Sequence, residues 1–226
     1  MSAAEVEKVV ESFRQMAARW QEGVTVDQIR QDVDALYAGY PADGPHQVKT
    51  IRMGDLSGRE VAAKGAGKGV ILHLHGGGFT CGSSISHTPV AARLSAATGA
   101  RVVLPDYRLA PEHLFPAAHD DALSVYRWLL DQGVAAGEIA ISGDSSGGGM
   151  ALSLLQTIVA QGLPKPACGV LLSPWTDLEC MGASYVDNAA LDPITSRDMA
   201  RGMAAAYLGD KGDVRDPRAS PVHGEF

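Results

Sequence analysis

Four short apolar runs, "GVILHLH", "ARVVLPDY", "EIAISGD" and "CGVLLSP", begin at Gly69, Ala100, Glu138 and Cys168. Each shows little alternation of polar and apolar residues, as a strand buried on both faces should. Between and after them lie segments of helical length, residues 86–98, 117–131 and 146–161. Strands and helices alternating in this way bury their apolar faces in one manner, as a mostly parallel sheet with helices on both sides. The expected class is therefore α/β.

The flanking segments read differently. Val6, Val9, Val10, Phe13, Met16, Ala17 and Trp20 recur at helical spacing, so the first twenty residues form an amphipathic helix. Thr25 with Gln28 makes a capping box for a second helix carrying Val26, Ile29, Val33, Leu36 and Tyr37, which Gly39 and Pro41 end. "HQVKTIRM" and "GREVAAK" read as two antiparallel strands. Leu178 to Asp210 reads as an irregular stretch leading into a helix capped by Thr195 or Ser196. The chain of 226 residues, 46% hydrophobic and 20% charged, suits one domain with a small accessory lobe. A net charge of −7 without a basic block argues against a nucleic-acid partner. No run approaches the roughly 20 apolar residues needed to span a bilayer, which argues against membrane insertion. Three cysteines, Cys81, Cys168 and Cys180, show no metal or disulfide spacing, and the amino terminus lacks a basic start and apolar core. The expectation is a soluble protein of the reducing cytoplasm.

Chemistry concentrates at two glycine-rich turns. Gly143-Asp144-Ser145-Ser146-Gly147 fits G-x-S-x-G between a strand and a helix, the context of a nucleophile elbow. A side chain at Gly143 or Gly147 would collide at so sharp a turn. Ser145 is then the candidate nucleophile. The bland alternative is a glycine turn feeding a helix. "HLHGGGF", His73 to Phe79, ends the first apolar run, and its glycines can expose several N–H groups into one small space. Gly76 and Gly77 are the expected oxyanion donors, with the Ser146 N–H as a third. His75 and Asp144 are read as supports of this loop and His73 as structural. Within "PDYRLAPEHLFPAAHDD", Arg108 and Glu112 are expected to pair. No spacing supports a metal, and no cofactor is implied. Trp20, Met199, Met203 and Tyr207 admit two readings, the wall of an acyl pocket or plain core.

"HGGGF", "PDYRLAPEHLFPAA" and "GDSSGG", in this order, resemble the hormone-sensitive-lipase-like (family IV) bacterial carboxylesterases of the α/β-hydrolase fold. The resemblance covers nearly the whole chain. It implies residues 1–45 as N-terminal cap helices, 46–176 as the α/β-hydrolase core, 177–212 as a second cap segment and 213–226 as the start of a truncated C-terminal core. It further implies a small-molecule partner, a short-chain ester cleaved through a Ser145 acyl-enzyme. Most members carry alanine where Ser146 stands, a change of little weight for a backbone donor.

The triad order of such enzymes is serine, acid, histidine. Downstream of Ser145 the sequence holds one histidine, His223, and Asp177 is an admissible acid. Neither family position for the catalytic aspartate and histidine has a match, so impaired activity is expected. The "CGVLLSP" strand is expected to leave a bare edge, and hence self-association or pairing with a missing C-terminal fragment. The alternative is a non-catalytic ligand-binding protein, or an inactive fragment, on the same fold.

Overall fold

The computed structural model describes residues 2–20, 23–192 and 194–226. In chain order the elements are α1 (Ala3–Ala17), α2 (Val26–Ala38), β1 (His46–Met53), β2 (Leu56–Ala63), β3 (Val70–Leu74), α3 (Thr88–Thr98), β4 (Arg101–Pro105), α4 (Ala117–Asp131), β5 (Ile139–Asp144), α5 (Ser145–Ala160), β6 (Cys168–Leu172), α6 (Ser184–Asp187) and α7 (Arg197–Leu208). The six strands form one sheet in the order β1-β2-β4-β3-β5-β6. β1, β2 and β4 pair antiparallel, while β4, β3, β5 and β6 run parallel. The expected α/β class and the N-terminal hairpin are both present.

Strands β3 and β4 are continuous apolar runs because each packs on both faces. Val70, Leu72 and Leu74 of β3 join Ile139 and Ile141 of β5 and the helices α4 and α5 in the larger core. The intervening Ile71 turns the other way, onto Val102, Leu104 and the α3 residues Ala91 and Ala92. The period of two along each strand thus divides one sheet between two cores.

Beyond β5 this coverage fails on one face. Leu171 packs into the larger core, but Val170 and Leu172, pointing the opposite way, are 46% and 39% exposed. α3 lies over β2 and β4.

The two N-terminal helices sit above the ends of the parallel strands. α1 starts at a Ser2–Glu5 capping box that the sequence reading did not pick out. The Thr25 side chain caps α2 through the Gln28 N–H, but the Gln28 amide turns to Asp32 instead of closing the box. α2 is anchored to the core by Arg30, whose guanidinium donates to the carbonyls of Thr80 and Ala110 and to the Glu112 carboxylate. Arg108 pairs with Asp121 at 2.7 Å instead, which corrects the expected Arg108–Glu112 brace. The bond to Arg30 lowers the Glu112 carboxyl to about 2. Ser196 caps α7 by accepting the Met199 N–H. Among the described residues no helix is long and apolar enough to cross a membrane.

Candidate active site

β5 ends at Asp144, and the next residue opens α5 with φ +53°. A non-glycine residue at positive φ is strained and persists only where its surroundings fix it. Here the close contacts are backbone. A Cβ on Gly147 would press on the Leu74 and His75 carbonyls, and one on Gly143 would press on Gly147. The Ser145 carbonyl accepts a 2.8 Å hydrogen bond from the Trp175 N–H on the chain leaving β6. Ser145 itself is exposed and lines a cavity of about 670 Å³ under α1 and α2.

The turn after β3 faces the same cavity. Gly77 has φ +127°, and a Cβ there would collide with the Cys81 carbonyl, so glycine is required. Gly77 and Gly78 line the cavity, and their N–H groups have no acceptor among the described residues. Ser146, buried in the first turn of α5, has an N–H that lies too early in the helix for an intrahelical acceptor. Gly76 behaves otherwise. Its N–H points to Asp144 Oδ1 at 3.1 Å and His87 Nε2 at 3.3 Å. Of the expected pair Gly76 and Gly77, the Gly76 N–H is thus taken up inside the loop, whereas those of Gly77 and Gly78 stay open to the cavity. Gly78 stands in the same glycine run, and only the three-dimensional path separates the two.

Asp144 sits at a junction of donors. Its Oδ1 lies 3.3 Å from His73 Nε2 and 3.2 Å from His87 Nε2. Burial alone would raise its carboxyl pKa, but the contacts with His73 and His87 outweigh burial and hold it well below the usual carboxylate range. His75 has a different environment. Its Nδ1 is 2.9 Å from the Gly76 carbonyl, and the ring stacks on Tyr107 at 4.2 Å. Burial, with His87 nearby, lowers its pKa to about 3, so the ring stays neutral at physiological pH. Asp144 and His75 thus both touch the glycine loop.

The cavity wall is apolar where α1, α2 and α7 meet. Phe13, Met16 and Trp20 come from the N-terminal segment and Met199 and Met203 from α7. Tyr207 is instead buried core, stacked on Phe79 at 3.9 Å. Of the four residues with two readings, three face the cavity and Tyr207 does not. Phe13, Met16 and Tyr37 also line it, although the sequence marks them only as a helix stripe.

No hydrogen bond reaches Ser145 Oγ among the described residues. His223 Nε2 lies 3.5 Å from Glu179 Oε2, which Arg215 also binds at 3.0 Å. The Asp177 carboxylate accepts the N–H groups of Glu179 and Met181. These two side chains, the admissible acid and base, are thus gathered with Glu179 within 4.8 Å of one another and engaged there.

A strained serine elbow at the end of a central parallel strand defines the α/β-hydrolase class. The comparisons with known proteins agree and narrow it. A family model described as the alpha/beta hydrolase fold matches residues 71–226. An acetyl-hydrolase of Streptomyces hygroscopicus is 43% identical over 156 residues, 69% of this chain and 52% of the relative. An esterase of Acinetobacter venetianus is 34% identical over 194 residues, 86% of this chain and 64% of the relative. A crystal structure of an esterase from the bacterial hormone-sensitive lipase family superposes with a TM-score of 0.93 at 36% identity, covering 99% of this chain and 74% of that one. The chain belongs to the α/β-hydrolase family, in its hormone-sensitive-lipase-like branch. It spans between half and two thirds of the length of these two curated relatives.

Proposed function

We propose that this chain carries the nucleophile and oxyanion hole of a carboxylesterase acting on short-chain acyl esters. The observation that carries the reading is the convergence of Ser145, at φ +53°, with the unoccupied N–H groups of Gly77 and Gly78 on one cavity. Ser145 Oγ attacks the ester carbonyl, and the N–H groups of Gly77, Gly78 and Ser146 receive the charge that develops on oxygen. The alcohol leaves with the proton that Ser145 has given up, and water then hydrolyses the acyl-serine to the carboxylic acid and free Ser145. Residues 1–45 and 177–212 act as the cap over that cavity, with Met199 and Met203 on the acyl side. The core is residues 46–176, and residues 213–226 lead into its C-terminal part. The three unpaired thiols suit a reducing cytoplasm.

The general base is a histidine that must reach Ser145, and His223 is held by Glu179. Until such a histidine is presented, acylation runs orders of magnitude below that of a complete triad. Roughly 10³–10⁴ over water then remains from the oxyanion hole and binding. The decisive comparison is p-nitrophenyl butyrate hydrolysis by the purified chain and its Ser145→Ala variant. Slow turnover that disappears in the variant is expected. Turnover that is absent, or indifferent to the substitution, would overturn the reading and favour a non-catalytic ligand-binding role.

The exposed Val170 and Leu172 on the edge strand β6 support a second reading, that this edge pairs with another strand, from a second copy or a C-terminal segment. Light scattering should then give a mass above that of one chain. A monodisperse monomer would count against it.

A further inference from the structure

We propose that His87, on the turn entering α3, is a positioning residue that ties the oxyanion loop to helix α2. The inference rests on the oxyanion role proposed above for Gly77 and Gly78. His87 is 1% exposed. Its Nε2 lies 3.2 Å from Asp144 Oδ1 and 3.3 Å from the Gly76 nitrogen. On the opposite side of the ring, Nδ1 is 2.9 Å from Ser86 Oγ. The ring face stacks on Tyr37 of α2, centroid to centroid 5.0 Å at 27°, and Tyr37 lines the cavity.

The proton positions follow from which groups can accept. An ionised Asp144 carboxylate faces Nε2, so the imidazole carries its hydrogen there. Nδ1 is then an acceptor, and the one hydrogen of the Ser86 hydroxyl, which lies 2.9 Å from Nδ1 and 3.0 Å from the Ser83 carbonyl, turns to Nδ1 in this tautomer. With Nε2 a donor, the Gly76 N–H cannot bond to it and goes to Asp144 Oδ1, 3.1 Å away. One carboxylate oxygen therefore gathers the Gly76 N–H and the His87 Nε2–H, with His73 Nε2 at 3.3 Å completing its surroundings. Fixing the Gly76 N–H orients the peptide that precedes Gly77 and Gly78, whose own N–H groups stay aimed at the cavity. His87 forms no bond to Ser145 among the described residues. It acts through Asp144 and is not a catalytic residue. Its stack on Tyr37 means that a shift of α2 is felt at the oxyanion loop.

His87→Gln keeps a side-chain N–H able to reach Asp144, and His87→Ala removes it. Two readouts on the whole purified chain separate positioning from plain packing. The first is hydrogen exchange at the Gly76 amide without substrate. It should accelerate at least about tenfold in His87→Ala, with protection restored in His87→Gln. The second is p-nitrophenyl butyrate kinetics, where kcat should fall about ten- to a hundredfold in His87→Ala, the cost of a misplaced group. KM should change by less than about twofold, and His87→Gln should recover most of the rate. Ser86→Ala, a milder change, should move Gly76 exchange in the same direction and serves if His87→Ala does not fold. Unchanged Gly76 exchange in a folded His87→Ala or Ser86→Ala, or equal impairment of the Gln and Ala variants, overturns the proposal. If the wild-type chain hydrolyses nothing, the esterase reading falls, and Gly76 exchange alone decides the role of His87.

Discussion

Strands β3 and β6 flank the same strand, β5, and so stand on either side of Ser145, yet they live in different surroundings. All five residues of β3 are buried. In β6 all but Leu171 are exposed. The chain leaving β3 enters a dense set of contacts in which Asp144, His73, His75, His87 and Tyr107 fix the glycine loop. The chain leaving β6 supports the elbow through Trp175, then spends Asp177 on its own turn. The difference shows that the frame around Ser145 is uneven, buried and densely bonded on one side and open on the other. Preorganised charge stabilisation needs a rigid, buried frame; the β3 flank carries most of it, and the β6 flank adds the Trp175 N–H on the Ser145 carbonyl.

The comparison can be broken most directly in the core. Leu72→Ala in β3, at a position with no exposure, should cost about 2–5 kcal/mol, on the order of 4–20 °C in Tm. A loss near zero in thermal unfolding would mean that the β3 flank is not the rigid one. A smaller effect appears in the pH dependence. The folded-state pKa of His75 is lowered to about 3 from 6.5, so between these values the unfolded chain binds the extra proton. Stability is therefore full above pH 6.5 and declines as pH falls towards 3, by up to about 1.4 kcal/mol per unit. Urea titrations from pH 6.5 to 5, where carboxylates remain ionised, should show this slope in the wild type and a flatter one in His75→Gln. An unchanged slope would remove His75 as its source. The smallest effect belongs to the other flank. Val170→Lys, at an exposed site, should alter stability by no more than about 0.5 kcal/mol while lowering any self-association seen by light scattering. A large destabilisation there would show that β6 is better covered than its surface suggests.

Most of the scaffold can be read from the sequence because it rests on local pattern. The apolar runs at Val70, Val102, Ile139 and Val170 become strands, and the glycines around Ser145 announce a sharp turn. What escapes is set by partners far along the chain. Nothing near Glu112 reveals that its cation is Arg30, 82 residues earlier, so the nearer Arg108 was the natural expectation. Gly76 and Gly78 are chemically identical in the sequence. Their roles divide because Asp144, 68 residues downstream, takes one N–H and leaves the other. His87 carries no signal of its own, since its partners Tyr37 and Asp144 come from separate elements.

The Arg30 anchor also imposes an order on biosynthesis. The helix that bears it is made before its acceptors at Thr80, Ala110 and Glu112, which come 50 to 82 residues later. At about 5–20 residues per second, α2 waits roughly 4–16 s on the ribosome before Glu112 exists. During that interval α2 can already pack on α1, through contacts such as Phe13 on Tyr37, but it lacks the Glu112 partner of its anchor. The anchored position of α2 is thus out of reach until the chain through Glu112 has been made.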